Sequence, residues 1–137
     1  MGWLSGRRPT DLGVRDGRLK PVPTSPNAVS SQAAADDRGH WIAPLRHRGA
    51  RDTVLSGLAA IVRGQPRTSV VAQTADYLHA EFTSALMGFV DDVEFWLPPT
   101  EPGVIHVRSA SRLGHSDLGA NRARIETLRA LVDAKGL

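Results

Sequence analysis

Residues 108–124 hold four arginines, three serines, one aspartate, one asparagine and two glycines within 17 positions. The stretch lies between an apolar, strand-like run that ends near Val107 and a helical run that begins near Leu118. Polar groups crowded between two core-forming elements must bond to one another or to a ligand, because burying them unpaired is costly. Two uses fit. Arg108, Arg112, Arg122 and Arg124, gathered around a helix start capped by Ser116 or Asp117, would bind a phosphate or carboxylate, since free helix N–H groups and forked guanidinium donors both suit an anion. The same groups could instead tie the fold together. Asp117 would then cap the helix and pair with an arginine, Asn121 would bond backbone in the turn, and Gly114 and Gly119 would permit tight packing. Architecture is the commoner use of buried ion networks, and the two uses coexist if one arginine is left over.

A second cluster follows from strand alternation. His79, Glu81, Glu94, His106 and Arg108 fall on the polar face of neighbouring strands, with Asp91 and Asp92 close by. Two histidines and two carboxylates would suit a divalent metal or acid–base chemistry, but no HExxH or HxH spacing is present. The plainer reading is a solvated sheet face with cross-strand ion pairs, Asp91 and Asp92 serving a turn or bulge. A third motif, SPNAVSS at residues 25–31, offers Ser25, Asn27, Ser30 and Ser31. Neither a G-x-S-x-G elbow nor a phosphate-loop lysine accompanies it, so it reads as a turn in which Pro26 fixes φ and Asn27 bonds local backbone.

The elements that must position these groups are legible from periodicity. Residues 53–63 carry Leu55, Leu58, Ala59 and Val62 at helical spacing, with Asp52 as cap and Gly64 and Pro66 as stop. Strands are predicted over residues 68–73, 77–84, 89–97 and 103–110, with Leu78, Ala80, Phe82, Val93, Phe95, Ile105 and Val107 facing one way. A last helix spans about residues 118–134, with Leu118, Ile125, Leu128 and Val132 as its apolar stripe. Asn121 falls inside that stripe and is predicted to be buried and bonded; Arg122 and Arg129 sit at its edge. Residues 1–50 are rich in proline, glycine and serine, yet Leu12, Val14, Leu19, Val22, Val29, Trp41, Ile42 and Leu45 recur along them. They read as a flexible start, residues 1–7, followed by an extended arm, residues 8–50, wrapped over an α-β-β-β-β-α core, residues 51–137. The expected fold is α+β: a four-stranded antiparallel sheet packed against two helices in a single domain.

Composition limits the function classes. A chain of 137 residues, 41% hydrophobic, buries a core without staples. The net charge of +3 is small and spread along the chain, and 15 of its 17 basic residues are arginine, so the high isoelectric point of about 10.2 is weak evidence for nucleic acid. The absence of cysteine excludes disulfides, thiolate metal sites and a cysteine nucleophile. No apolar run reaches the length of a membrane span and no signal peptide is visible, so the expected location is cytoplasmic.

The segments at residues 8–32, 40–45, 77–97 and 107–129 together resemble domain-of-unknown-function family 1499, found in bacteria and plant plastids. The carrying motifs are SPN-x-VSS and RSASR-x-G-x-SDLG-x-NR-x-RIE. The resemblance covers about residues 8–133 and implies no established catalytic residue. Relatives often carry cysteine in the pattern P-C-P-x-S-P-N-C-V-S, where this chain has Val22 and Ala28. Joint absence reads as loss of a pair, either a disulfide or a two-sulfur ligand. Many relatives also look membrane-anchored or exported.

The reading that follows is a non-catalytic binding or scaffold domain for a small anionic ligand or a protein partner. Its candidate ligand-binding residues are Arg108, Ser109, Ser111, Arg112, Asp117, Asn121, Arg122, Glu81, His79 and Asn27. The sequence implies no cofactor and assigns no metal ligand. The alternative is a hydrolase or lyase using Glu81, Asp91 or Asp92 with His79 and Arg108.

Overall fold

The computed structural model describes residues 6–114 and 116–137. Alternating apolar residues produce a four-strand antiparallel meander: β3 (Thr68–Gln73), β4 (Tyr77–Thr83), β5 (Val90–Trp96) and β6 (Val104–Ser111). Leu78, Ala80, Phe82, Val93, Phe95, Ile105 and Val107 share one face. They join Val54, Leu55, Leu58, Ala59, Ile61 and Val62 of helix α1 (Arg51–Arg63) and Ile125, Leu128 and Val132 of helix α2 (Ala120–Lys135) in one buried core. Burying each of the valines, leucines, isoleucines and phenylalanines among them contributes about 1.5–3 kcal/mol, which is why both helices lie on that face.

The sheet has six strands, not the four expected. The arm adds β1 (Ala28–Ser30), antiparallel to the distal half of β6, and β2 (Leu45–Arg46), antiparallel to its proximal end. Strands of three and two residues are too short to show a period of two, so alternation could not reveal them. Their role is plain from their place: both lie on the outer edge of β6 and pair backbone groups that an open edge would leave bare. The arm before β1 crosses the other face of the sheet. There Gly13, Lys20 and Pro21 contact side chains of β5 and β6.

Both helix starts differ from expectation. Helix α1 begins at Arg51, with Ala50 in the cap position and no side-chain cap bond. Asp52 is inside the first turn, where its carboxylate accepts the N–H and, at 3.5 Å, the hydroxyl of the adjacent Thr53 and complements the helix dipole. Helix α2 begins at Ala120, so Leu118 is not part of its stripe. Leu118 has a φ of 53° and is 96% exposed, in a turn completed by left-handed Gly119. Asp117 ends that turn as the cap does in other helices: its Oδ1 accepts Gly119 N–H at 2.8 Å and its Oδ2 accepts Asn121 N–H at 3.0 Å.

Asn121 is fully buried, as its position in an apolar stripe predicted. Its Oδ1 accepts from Ser109 Oγ at 2.6 Å and from Arg124 Nη1 at 2.8 Å. Its Nδ2 lies 3.0 Å from the Asn27 carbonyl, 3.0 Å from Ser111 Oγ and 2.7 Å from Asp117 Oδ2. One amide thus joins β6, the arm and the start of α2. We expect Asn121→Leu to destabilise the fold by at least about 1–3 kcal/mol, because it adds apolar surface but strands buried donors and acceptors on all three elements. Denaturant unfolding with an unchanged midpoint would show that the amide is not the joint.

Candidate functional site

The pleat divides the candidate residues between the two faces of the sheet. Odd-numbered positions of β6 face the helices: Ser109 meets Asn121, and Asp91 of β5 pairs with Arg124 of α2 at 2.7 Å, with that guanidinium stacked over Phe82 at 4.9 Å. Even-numbered positions face the arm: His106, Arg108 and, just past the strand, Arg112, opposite Asp92, Glu94 and Trp96 of β5 and Tyr77, His79 and Glu81 of β4. Asp91 and Asp92 are adjacent in sequence but serve opposite faces, so they cannot act as one carboxylate pair. Arg122 belongs to neither cluster; its Nη2 donates to the carbonyls of Trp41 and Arg38. Asn27 anchors the turn before β1, its Nδ2 donating to Gly114 O while its own carbonyl accepts Ser111 N–H. Ser111 and Asp117 are spent on Asn121, and Asp117 pairs with no arginine among the described residues.

The arm face is a buried ion network rather than a solvated surface. Arg112 grips Asp92 with two parallel bonds, Nε to Oδ2 at 2.8 Å and Nη2 to Oδ1 at 2.9 Å, and also reaches Glu81. Arg8, from the arm, closes on the same Glu81 oxygen. His79 Nε2 contacts Asp92 Oδ1 at 2.8 Å. Glu94 has no exposed surface; its Oε2 accepts the Tyr77 hydroxyl and the Gly13 N–H. Its Oε1 accepts no hydrogen bond among the described residues and lies 3.8 Å from Arg108 Nη1. Arg108 donates from Nε to Lys20 O at 2.9 Å and from Nη2 to Pro21 O at 3.2 Å, so it fastens the arm to the sheet.

These contacts set the ionisation of the cluster. Burial alone would raise the Asp92 carboxyl, but bonds from Arg112 and His79 outweigh it and hold it below its ordinary value of 3.8. The Arg8 bond, against partial burial, together with Arg112, holds Glu81 below 4.5. Burial, then the Glu94 charge and hydrogen bond, raise the Tyr77 hydroxyl, which therefore stays a donor. Arg108 is lowered by burial, opposed by the charges of Glu94 and Asp92.

Between arm and sheet lies a cavity of about 260 Å³, lined by Pro9, Leu12, Lys20, Pro21, Val22 and Pro23 of the arm and by Asp92, Arg108, Ala110, Ser111 and Arg112 of the sheet. Nη1 of Arg108 and Nη1 of Arg112 donate no hydrogen bond to any described residue, and neither is a fully enclosed atom. Both residues line this cavity, and Arg108 Nη1 also faces Glu94 Oε1 at 3.8 Å. The sequence could not reveal the partners that shape it: the carbonyls of Lys20 and Pro21 have no side-chain signature, and the arm contacts span 73 to 88 residues.

One further constellation escaped sequence reading. Ser31 Oγ lies 2.9 Å from His106 Nδ1, and His106 Nε2 lies 3.1 Å from Glu101 Oε2. The order hydroxyl, imidazole, carboxylate matches that of a hydrolase relay. Here, however, Ser31 Oγ already accepts the Val107 N–H, and the neighbouring cavity is lined by Ser30 and Gln32 instead. The arrangement stitches the segment after β1 to β6. No group of three or more potential ligands among the described residues is placed to hold a metal ion, and no described helix is long and apolar enough to cross a membrane.

The depressed carboxylates predict acid sensitivity with a definite sign. Asp92 and Glu81 have folded pKa values below their unfolded ones, so their contribution is complete above about pH 4.5 and is lost as pH falls through the folded values. Thermal melts taken from neutral pH down to about pH 3 should show a falling midpoint. Asp92→Asn should lower the neutral-pH midpoint, by leaving Arg112 half-paired, and should make the acid limb shallower. A variant with the wild-type acid limb would remove Asp92 from the network.

A family model described as a protein of unknown function, DUF1499, matches residues 18–132. No curated protein and no solved structure matches the chain. The matched span takes in Glu81, Asp92, Glu94, Arg108, Arg112 and Asn121, while Arg8 and Gly13 of the arm lie before it. This chain belongs to the DUF1499 family.

Proposed function

We propose that the domain is a binding module for a small carboxylic acid, held in the cavity between the arm and the charged face of the sheet. The observation that carries this reading is that Arg108 and Arg112 both line a single cavity and that the Nη1 of each donates no hydrogen bond to a described residue, Arg108 Nη1 facing Glu94 Oε1 only at 3.8 Å. Paired donors on guanidinium groups match the two oxygens of a carboxylate, a geometry that an ammonium does not reproduce. The remaining walls, Pro9, Leu12, Pro21, Val22 and Pro23, suit an apolar body.

Charge selects a monoanion over a phosphate. Three guanidiniums, of Arg8, Arg108 and Arg112, already face three carboxylates, of Glu81, Asp92 and Glu94. Asp92 itself lines the cavity. A dianion would meet that carboxylate without a surplus of cations to offset it. Size points the same way: about 260 Å³ lies just below the roughly 300–1,000 Å³ of typical ligand pockets, so the ligand has few atoms. A binding role is favoured over hydrolase or lyase chemistry because Glu81, Asp91 and Asp92, the carboxylates that chemistry would use, are each tied up by arginine.

The test is calorimetric titration with butyrate and, separately, with inorganic phosphate. Butyrate should bind and phosphate should not. Arg108→Lys should weaken butyrate binding about tenfold, or roughly 1.4 kcal/mol, while the thermal midpoint reports whether the arm stays docked. Equal binding of butyrate by wild type and an Arg108→Lys variant of unchanged midpoint would overturn the assignment, as would a wild type that takes up neither anion.

A further inference from the structure

Among the described residues, the large hydrophobic side chains that the fold leaves exposed are Leu86, Met87, Phe89, Leu113 and Leu118. All five gather at one end of the sheet. Leu86, Met87 and Phe89 belong to the β4–β5 turn, a tight loop closed by Ser84 and Phe89, whose backbone and side chain bond at 2.8 and 3.0 Å. Leu113 follows β6, whose exit is tied to β5 by Arg112 N–H on Val90 O. Leu118 occupies the turn into α2, which Asp117 and Asn121 hold against the end of β6. Leu86 is 91% exposed and Leu118 96%, so these side chains project from loop tips and do not line a groove.

The charges around that end are unequal in commitment. Its acids are engaged: Glu81 with Arg8 and Arg112, Asp92 with Arg112, Asp91 with Arg124, and Asp117 with the N–H groups that start α2. Residues 83–90 carry no charge. Three exposed arginines border the tip without an acidic partner among the described residues. Arg63 ends α1 and Arg67 immediately precedes β3, beside the last residues of β4; Arg7 adjoins Gly6, which lies against Leu113.

We infer that this end of the domain inserts into the interface of an anionic lipid bilayer, with the leucine, methionine and phenylalanine tips in the acyl boundary and Arg7, Arg63 and Arg67 against the headgroups. Separate protruding side chains on tight loops suit a fluid apolar medium, where a protein partner would need a matching surface. Uncommitted cations flanking an uncharged apolar tip complement negative headgroups, and such attraction acts together with apolar burial and weakens with salt.

The experiment is flotation of the whole chain with vesicles of phosphatidylcholine, with and without phosphatidylserine. The chain should float with the phosphatidylserine vesicles, less so as salt rises, and poorly with phosphatidylcholine alone. The double variant Leu86→Ser, Leu118→Ser should lower partition about tenfold or more, since each leucine removes several buried methylenes from the lipid. Its thermal midpoint should not move, because neither side chain is packed. Arg7→Glu with Arg63→Glu should abolish the preference for phosphatidylserine. Failure to float with either vesicle would overturn the inference, as would equal flotation of the leucine variant. So would a leucine variant whose main change is in self-association, since the tip would then be a contact between copies of the chain. Butyrate binding is read separately and is unaffected by any of these outcomes.

Discussion

Glu94 lies on β5, at the centre of the sheet, with none of its surface in contact with solvent. A carboxylate taken out of water costs several kcal/mol unless donors and cations surround it. That requirement organises the face around it. The Tyr77 hydroxyl comes from one neighbouring strand and the Arg108 guanidinium from the other, and the Gly13 amide comes from the arm. The dependence runs both ways. Arg108 is buried in turn, and it is satisfied by the Lys20 and Pro21 carbonyls of the segment that buries it. Sheet charge and covering arm each stabilise the other, and neither has a place without its partner.

The two faces solve the problem of buried polarity differently. On the helix side a neutral amide, Asn121, accepts and donates to three elements at once, and its bonds are indifferent to pH near neutrality. On the arm side the joints each have a charged partner, Arg8 on Glu81, the Gly13 N–H on Glu94 and Arg108 on the Lys20 and Pro21 carbonyls, stronger bond for bond but dependent on ionisation. The helices are therefore fixed to the sheet by packing, the Asn121 hub and the Asp91–Arg124 pair, while the arm is fixed by the Arg8–Glu81 pair and by main-chain bonds to Glu94 and Arg108.

What could be read in the sequence was what repeats with a short period. The four meander strands and both helices carry runs of alternating or helically spaced apolar residues long enough to stand out. Asn121 was legible for the same reason, as a polar residue breaking an apolar stripe. The short strands β1 and β2 were not, because three and two residues have no period. Leu118 fits the α2 spacing by number, yet the left-handed turn through Gly119 starts the helix after it. Residue types of the candidate site were visible, and alternation placed His79, Glu81, Glu94, His106 and Arg108 on one face. The covering of that face was not visible. It depends on main-chain carbonyls and on pairings such as Arg8 with Glu81, which leave no local trace.

Those long separations also impose an order in time. The ribosome delivers the arm first and its seat last: Arg8 waits 73 residues for Glu81, Gly13 waits 81 for Glu94, and the Lys20 carbonyl waits 88 for Arg108. A chain under synthesis has no complete surface for the arm to cover until β6 has emerged, and β6 lies within the last third of the sequence. Contacts this distant are slow to close, since loop entropy must be overcome before they contribute anything. The prolines at residues 21, 23 and 26 keep the waiting segment extended and poor in local structure. The arm therefore cannot be fully seated before β6 has emerged, and until then the charged face of the sheet is incomplete and open to water.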